Sequence, residues 1–542
     1  MKKSLITLII ISFSSSFLFQ GCTDLLDEVN VREPVPDVYY NKKAGYLELI
    51  NACYTQTRTV VDFSAWAVLE YGTDLWTNGS DGSQNEFNTY LPSLSSRNAT
   101  LYSLWSGFYT GIGTCNTAIS RASNIPGMTQ AEIDAKVGEA YFLRAWYYSI
   151  LVMQFGDIPL VTKEVTTVVT TATRAPEQEV YDLIIADLEI AESFLPVTQA
   201  DWGRISKGTA QALLARLHLW LKNYDEAATY AQKVINNYNY KLQPTFAQLF
   251  DRDNEINSEI IWPIQFSINE RLNVPADNSM DLGHTPRYDL HPGMTRALNY
   301  SRPWPRYMAN RHFLDMLNET RWKDSRYEAV WLEVWLANNP KTLPPGMKIG
   351  DTAVVVLPYA VSDAYKASKK YKIYDIDDYF IGEKSYGTLQ MFISMTKFYD
   401  KYRPSINAGN TTRDYYEIRL AEMYLIAAEA LMMQPGKKAE ALPFINAVRL
   451  RAAKKGHVTD MLVTDINDLT IDFILKERAY ELCAERYRWI DLKRTGKLIE
   501  YVQLYNPDGR NQIKTFHLLR PIPTNFIDRL TNKDEFEQNP GY

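Results

Sequence analysis

Cysteine is nearly missing from this chain. Four stand in 542 residues: Cys22, Cys53, Cys115 and Cys483. They are far apart, and three remain once Cys22 is set aside. Neither a disulfide framework nor a C-x-x-C metal knuckle can be built from them, and Cys53, Cys115 and Cys483 are expected to be buried apolar thiols. Histidine is sparse too. His218, His284, His291, His312, His457 and His517 form no H-E-x-x-H pair. Neither a G-x-S-x-G elbow nor a phosphate-cradling G-x-x-x-x-G-K-[ST] loop occurs, which removes the common hydrolase and nucleotide signatures. Base is not in excess: 58 Lys and Arg face 64 Asp and Glu. Such a chain lacks the electrostatic footprint that nucleic acid requires. No internal apolar run approaches the roughly 20 residues that span a bilayer; Ala145–Met153, one of the most apolar, is interrupted by Ser149.

The N-terminus has what the rest lacks. Lys2 and Lys3 precede an apolar stretch from Leu5 to Phe19, and Gly21 is followed at once by Cys22. A positive start, a short apolar run and a small residue make the secretory signal pattern. A Cys directly after the cleavage position resembles the signal of bacterial lipoproteins, with Phe19 replacing the usual aliphatic residue three before it. The alternative is an ordinary cleaved signal with a coincidental Cys. Acylation at Cys22 would anchor the protein without spanning the membrane. The expected division is therefore a signal over 1–21 and a lipid-anchored tether over 22–40, which carries Pro34 and Pro36. Taking Lys2 and Lys3 from 58 bases leaves 56 against 64 acids, or −8 for the mature chain.

Helical periodicity dominates beyond the tether. Ile133, Val137, Tyr141, Ala145 and Val152 recur at helical spacing, and Phe142, Trp146 and Ile150 fill the other faces. This helix should be buried nearly all round, stopping at Gly156 and Pro159. Pro176 opens a second helix along Val180, Ile184, Leu188, Ala191 and Leu195, which Pro196 closes. From Gly208 to Tyr238, one apolar helix face, a Lys222-Asn223 turn and a second helix begun at Tyr224 make the hairpin unit of tetratricopeptide-like repeats. A second such pair is expected from Tyr416 to Ala453. The fold class is thus mainly α, with tetratricopeptide-like pairs carrying an irregular portion. An N-terminal helical region covers 41–240. A C-terminal region covers 241–542, loop-rich over 241–410 and helical over 411–500, and the two make one compact unit.

The loop-rich portion holds short β-like pieces, Ile260–Ile264 and Ala353–Leu357, and is where binding surfaces are expected. Trp76 and Tyr90 bracket a polar loop from Thr77 to Gly82 that includes Asn78. Tyr288, Tyr300, Trp304 and Tyr307 lie in a Pro/Arg-rich loop. A Tyr or Trp ring offers an apolar face and a polar tip. A sugar ring can stack on that face while amides and carboxylates take its hydroxyls. Trp76, Asn78, Tyr90, Tyr288, Tyr300 and Trp304 are therefore the candidate ligand residues; the alternative is that the rings merely pin long loops. His284 and His291 lie near acids in a loop, where a solvated loop outweighs weak metal binding. Glu477, Glu481 and Glu485, four apart on one expected helix face, could suggest a glycosidase pair. Arg478, Arg486 and Arg488 crowd them, and neighbouring cations lower a carboxyl pKa, so a structural ion network is expected. No catalytic residue, metal or cofactor is assigned.

Several stretches, in order, resemble the SusD/RagB family of outer-membrane nutrient-binding lipoproteins. They are Leu104-Trp105 through Cys115–Ile119, Gly138–Ala145, Phe155–Leu160 and Gly203–Ala210, then Arg419–Leu425, Glu477–Leu482, Arg488–Arg494, Leu519–Pro523 and Gln538–Tyr542. The resemblance implies a surface-exposed protein anchored through Cys22 at the outer membrane, partnered with a SusC-like TonB-dependent transporter. It implies capture of an oligosaccharide and its delivery inward without cleavage, so the protein is not an enzyme. The same fold could instead capture peptides, and a surface glycoside hydrolase is the remaining alternative.

Overall fold

Thr129 starts a 26-residue helix by accepting a hydrogen bond from the Glu132 N–H, while the Glu132 carboxylate accepts from the Thr129 N–H. Gly156, at φ 70, lets the chain leave it. The computed structural model describes residues 36–382, 384–385 and 390–542; Cys22, the 1–21 segment and residues 22–35 of the expected tether lie outside them. This helix, Gln130–Phe155, is buried nearly all round and sits between Ala99–Ser120 and Glu177–Phe194. Gly111 permits the first contact, because a Cβ there would stand 2.6 Å from the Tyr147 ring. Arg144 clamps the second, donating to both oxygens of Asp187 at 2.8 and 2.7 Å. The Lys207–Trp220 and Tyr224–Asn237 hairpin continues the stack, with Ala227, Ala228 and Ala231 buried at its crossing.

The chain then leaves the stack and returns to it. Leu420–Met433 packs directly on Tyr224–Asn237, and Gln434 donates to the Tyr224 carbonyl at 2.9 Å. Leu442–Ala452 and Ile471–Leu482 follow. The two hairpins, so far apart in sequence, are neighbours in space. The second begins later than its periodicity predicts: Tyr415–Arg419 is a strand, antiparallel to Ile260–Ile264, and all five of its residues are buried. Glu417 and Arg419 are buried in ion pairs beside Ile418, so charge does not mark a solvent face here and the pattern cannot separate strand from helix. This ladder ties together the two ends of the intervening region. Within that region Val334–Leu336, Thr352–Val356 and Lys372–Tyr374 form a three-stranded sheet. The amphipathic helix Arg311–Thr320 buries Phe313, Leu314, Met316 and Leu317 there. The architecture is mainly α with a few short strands, and among the described residues no helix is long and apolar enough to cross a membrane.

The glutamate row is a buried ion network, but not the one its spacing suggests. The helix ends at Leu482, so Glu485 lies beyond it rather than on one face with Glu477 and Glu481. Arg478, Arg486 and Arg488 point elsewhere, to Asp491, Glu417 and Asp74. The cations that serve the row come from other elements. Arg419 meets Glu481 and Glu485, both at 2.7 Å; Arg326 meets Glu477 at 2.7 Å; and Lys397 meets Glu485 at 2.6 Å. Burial alone would raise the Glu481 carboxyl, yet Arg451, Arg419 and Arg326 outweigh it and hold it well below the usual range. A carboxyl so held is no general acid. Cys53, Cys115 and Cys483 are free and buried.

Candidate functional site

The two aromatic loops meet. Trp76–Asn78 pairs antiparallel with Tyr307–Ala309, and the Gly79 and Asp81 N–H groups extend the pairing by donating to the Arg306 and Pro305 carbonyls at 2.8 and 2.9 Å. The ladder sets the loops side by side and also decides where their rings go. Trp76 turns into the core, fully buried, against Trp66 at 5.5 Å and Phe313 at 6.0 Å. Its Nε1 donates to Glu70 at 3.1 Å. Tyr90 is buried with its hydroxyl donating to the Gly72 carbonyl at 2.6 Å. Tyr288 is buried likewise, donating to the Ser301 carbonyl at 2.7 Å. Tyr300 lies 5.5 Å from it and accepts from the Leu336 N–H at 3.0 Å. Asn78 is engaged by Tyr71 and by Asn88. These rings hold the loops, and a ring already covered on both faces by protein cannot stack on a ligand. His284 is neither solvated nor placed to bind metal: it is buried between Trp66 and Trp76, with centroids 5.0 and 4.9 Å away.

Trp304 differs. It is half-buried and lines two cavities at once. The larger, about 720 Å³, is bounded by the Gln56–Ala65 segment, the Ala99–Ser120 helix and residues 275–279. Its wall is rich in hydroxyls. Thr100, Ser103, Gly107 and Thr110, three or four residues apart, form one small polar stripe along the helix. Asp62 and Asp277 add carboxylates, and one buried Asp277 oxygen has no hydrogen-bond partner, an acceptor that an incoming hydroxyl would satisfy. The smaller cavity, about 370 Å³, is lined by Ser80, Asp81, Arg287, Arg296, Arg302 and Gln390. Partial burial works against ionisation of Asp81. Hydrogen bonds from Ser83 and Trp304 and the Arg306 guanidinium outweigh it, so the carboxyl stays below its ordinary range. A π-face between hydroxyl-rich and charged walls suits a ligand with apolar faces and polar edges. A second pair of cavities, about 550 and 530 Å³, flanks Trp202, whose Nε1 donates to Asp414 at 2.9 Å.

Two family models match this chain. The one described as "SusD family" covers residues 315–542, and the one described as "Starch-binding associating with outer membrane" covers 34–219. The chain belongs to the SusD family. It is 29% identical to "SusD-like protein P2" of Formosa agariphila, with all of both chains covered. It is 25% identical to "Starch-binding protein SusD" of Bacteroides thetaiotaomicron, covering 77% of this chain and 74% of that one. Among solved structures, a "Laminarin binding SusD-like protein" superposes with a TM-score of 0.71 at 23% identity, covering 92% of this chain and 100% of that one. That last likeness is one of fold.

The SusD-like stretches explain why so little of the site could be read from them. Arg144 pairs with Asp187, Arg419 with Glu481, Arg488 with Asp74 and Arg494 with Glu429 and Asp491. These motif residues are buried ion pairs of the scaffold. The cavity wall of this SusD-family chain comes from Asp62, Asp277 and the Thr100–Thr110 stripe, which only partly overlaps those stretches and which the aromatic pattern did not flag. The signal was there in the stripe, small residues (Thr100, Ser103, Gly107 and Thr110) at helical spacing beside the buried Leu101, Leu104 and Phe108.

Proposed function

We propose that this chain captures oligosaccharides at the outer membrane across Trp304 and passes them, uncleaved, to a SusC-like TonB-dependent transporter. One observation carries the reading: a half-buried tryptophan stands between a hydroxyl-lined cavity and a charged one. Relatives named for starch and laminarin binding support the same ligand class, and the family description supports outer-membrane association. In this reading 1–21 is the export signal, Cys22 the acylated anchor and 22–40 the tether, and the halves 41–240 and 241–542 act as one body. Of the six ligand candidates read from sequence, Trp304 is retained. The buried, arginine-paired glutamates disfavour the hydrolase alternative.

Calorimetry with a glycan panel, followed by chromatography of the mixtures, tests it. Binding without product is expected. Trp304→Ala should weaken binding roughly five- to tenfold, the scale of about 1 kcal/mol for an aromatic contact, with a far smaller loss of stability than a fully buried tryptophan would cost. Shortened glycan would overturn the non-catalytic reading, and unchanged affinity would remove Trp304 from the site.

A further inference from the structure

The smaller cavity beside Trp304 has an electrostatic character that a neutral sugar does not need. Three arginines, Arg287, Arg296 and Arg302, line it against one aspartate, Asp81. Asp81 is already matched by Arg306, 3.2 Å away. Arg287 and Arg296 share a single carboxylate, Asp289, each approaching it through Nε at 2.9 Å. Held by Nε, Arg287 makes no hydrogen bond to a described residue through its two Nη groups. Arg302 has no carboxylate within ion-pair distance among the described residues. It donates only to the Asn407 carbonyl, at 3.3 Å, and its guanidinium lies 5.2 Å from the Trp304 centroid. Its Nε is shielded from solvent and has no hydrogen-bond partner. Among the described residues, four guanidiniums thus face two carboxylates, in a chain whose formal net charge is −6.

Such an excess is unfavourable in an empty, partly desolvated pocket. It becomes favourable when an anion arrives, because the planar guanidinium fork donates two parallel hydrogen bonds to a carboxylate or sulfate. The larger cavity, with Asp62 and Asp277 and its hydroxyl stripe, has the opposite character. A saccharide lying across Trp304 would therefore place a neutral unit on one side and an anionic substituent on the other. Resting on the reading of Trp304 as the saccharide site, we propose that the cargo is an anionic glycan, its carboxylate or sulfate ester bound by Arg287, Arg296 and Arg302.

The experiment is calorimetry of the purified full chain with three oligosaccharides of similar length: a neutral laminarin fragment, a carboxylated oligogalacturonate and a sulfated carrageenan fragment. At least one anionic probe should bind about tenfold or more tightly than the neutral one, the scale of a charge-assisted hydrogen bond. That preference should shrink as added salt shortens the screening length from about 30 Å to about 8 Å. Which anionic probe wins distinguishes carboxylate from sulfate. Arg302→Gln and Arg287→Gln should each reduce anionic affinity about tenfold, and Arg302→Lys, which keeps the charge, should recover part of the loss. Neutral binding as tight as both anionic probes, or anionic affinity unmoved in both glutamine variants, would overturn the anionic assignment while leaving saccharide capture standing. Binding of none of the three would overturn both.

Discussion

Trp76 and Trp304 come from strands and loops joined by the same ladder, yet one ring is core and the other is surface. The difference sets opposite expectations for the same substitution. Trp76→Ala removes a fully buried ring that touches Trp66 and Phe313 and leaves Glu70 short of a donor. It should destabilise the fold by about 3–5 kcal/mol in a urea titration, whereas Trp304→Ala should change ligand affinity and move the unfolding midpoint far less. A Trp76→Ala midpoint equal to wild type would mean the ring is not the packing element described. His284, in the same cluster, has a pH signature. Burial drives its folded pKa down to about 3, and an unfolded histidine titrates near 6.5. Between those values the unfolded chain takes up a proton that the folded chain refuses. Stability should therefore fall as pH drops through that window, by up to roughly 1.4 kcal/mol per pH unit from this residue. Denaturation at pH 7, 6 and 5 should show a shallower decline in His284→Phe; an identical decline would place the titrating group elsewhere.

At the scale of elements, the stack depends on how closely neighbouring helices approach. Gly111 is one such close approach, since any side chain there enters the Tyr147 ring. Two effects compete in Gly111→Ala. Helix propensity favours alanine by about 0.5–1 kcal/mol, and overpacking opposes it by about 1–3 kcal/mol. The Tyr147 hydroxyl is fixed by its bond to the Cys53 carbonyl at 2.7 Å, so the ring has little room to yield and the second effect should win. Net destabilisation by chemical denaturation is the expected outcome, and a stabilised variant would show that the two helices can slide apart. The helix boundaries here were legible from periodicity and from Pro and Gly punctuation. Gln130–Phe155, Glu177–Phe194 and the Lys207–Asn237 hairpin all fall where the pattern puts them. Tyr415–Arg419 did not, because its charged residues Glu417 and Arg419 are buried in ion pairs and mark no solvent face. The short helix Arg311–Thr320 was missed inside a region whose Pro and Asn content reads as loop.

At the scale of the whole molecule, one apolar cluster runs from Tyr46 to Phe536 and includes Trp262, Tyr307, Trp331 and Trp335 of the irregular region. The ladder between Ile260–Ile264 and Tyr415–Arg419 and the buried Arg419 pairs with Glu259, Glu481 and Glu485 cross-link that region to the stack. An insertion sharing its core with its host should not melt alone. Far-ultraviolet dichroism and tryptophan fluorescence should report a single coincident unfolding transition; two separated transitions would show that 241–410 folds as an independent unit.

Sequence alone determined the helical scaffold, the buried thiols and the structural nature of the glutamate row. The first two rest on local spacing and scarcity; the third was reached through Arg478, Arg486 and Arg488, which in fact pair with other carboxylates. Only the tertiary structure decided which cations serve the row and which ring faces a cavity. Arg419 lies more than sixty residues from Glu481, and Trp76 is covered by Phe313 of the Arg311–Thr320 helix and by Trp331 of a distant strand. A side chain's exposure is set by what the fold brings against it, and no periodicity within its own segment records that.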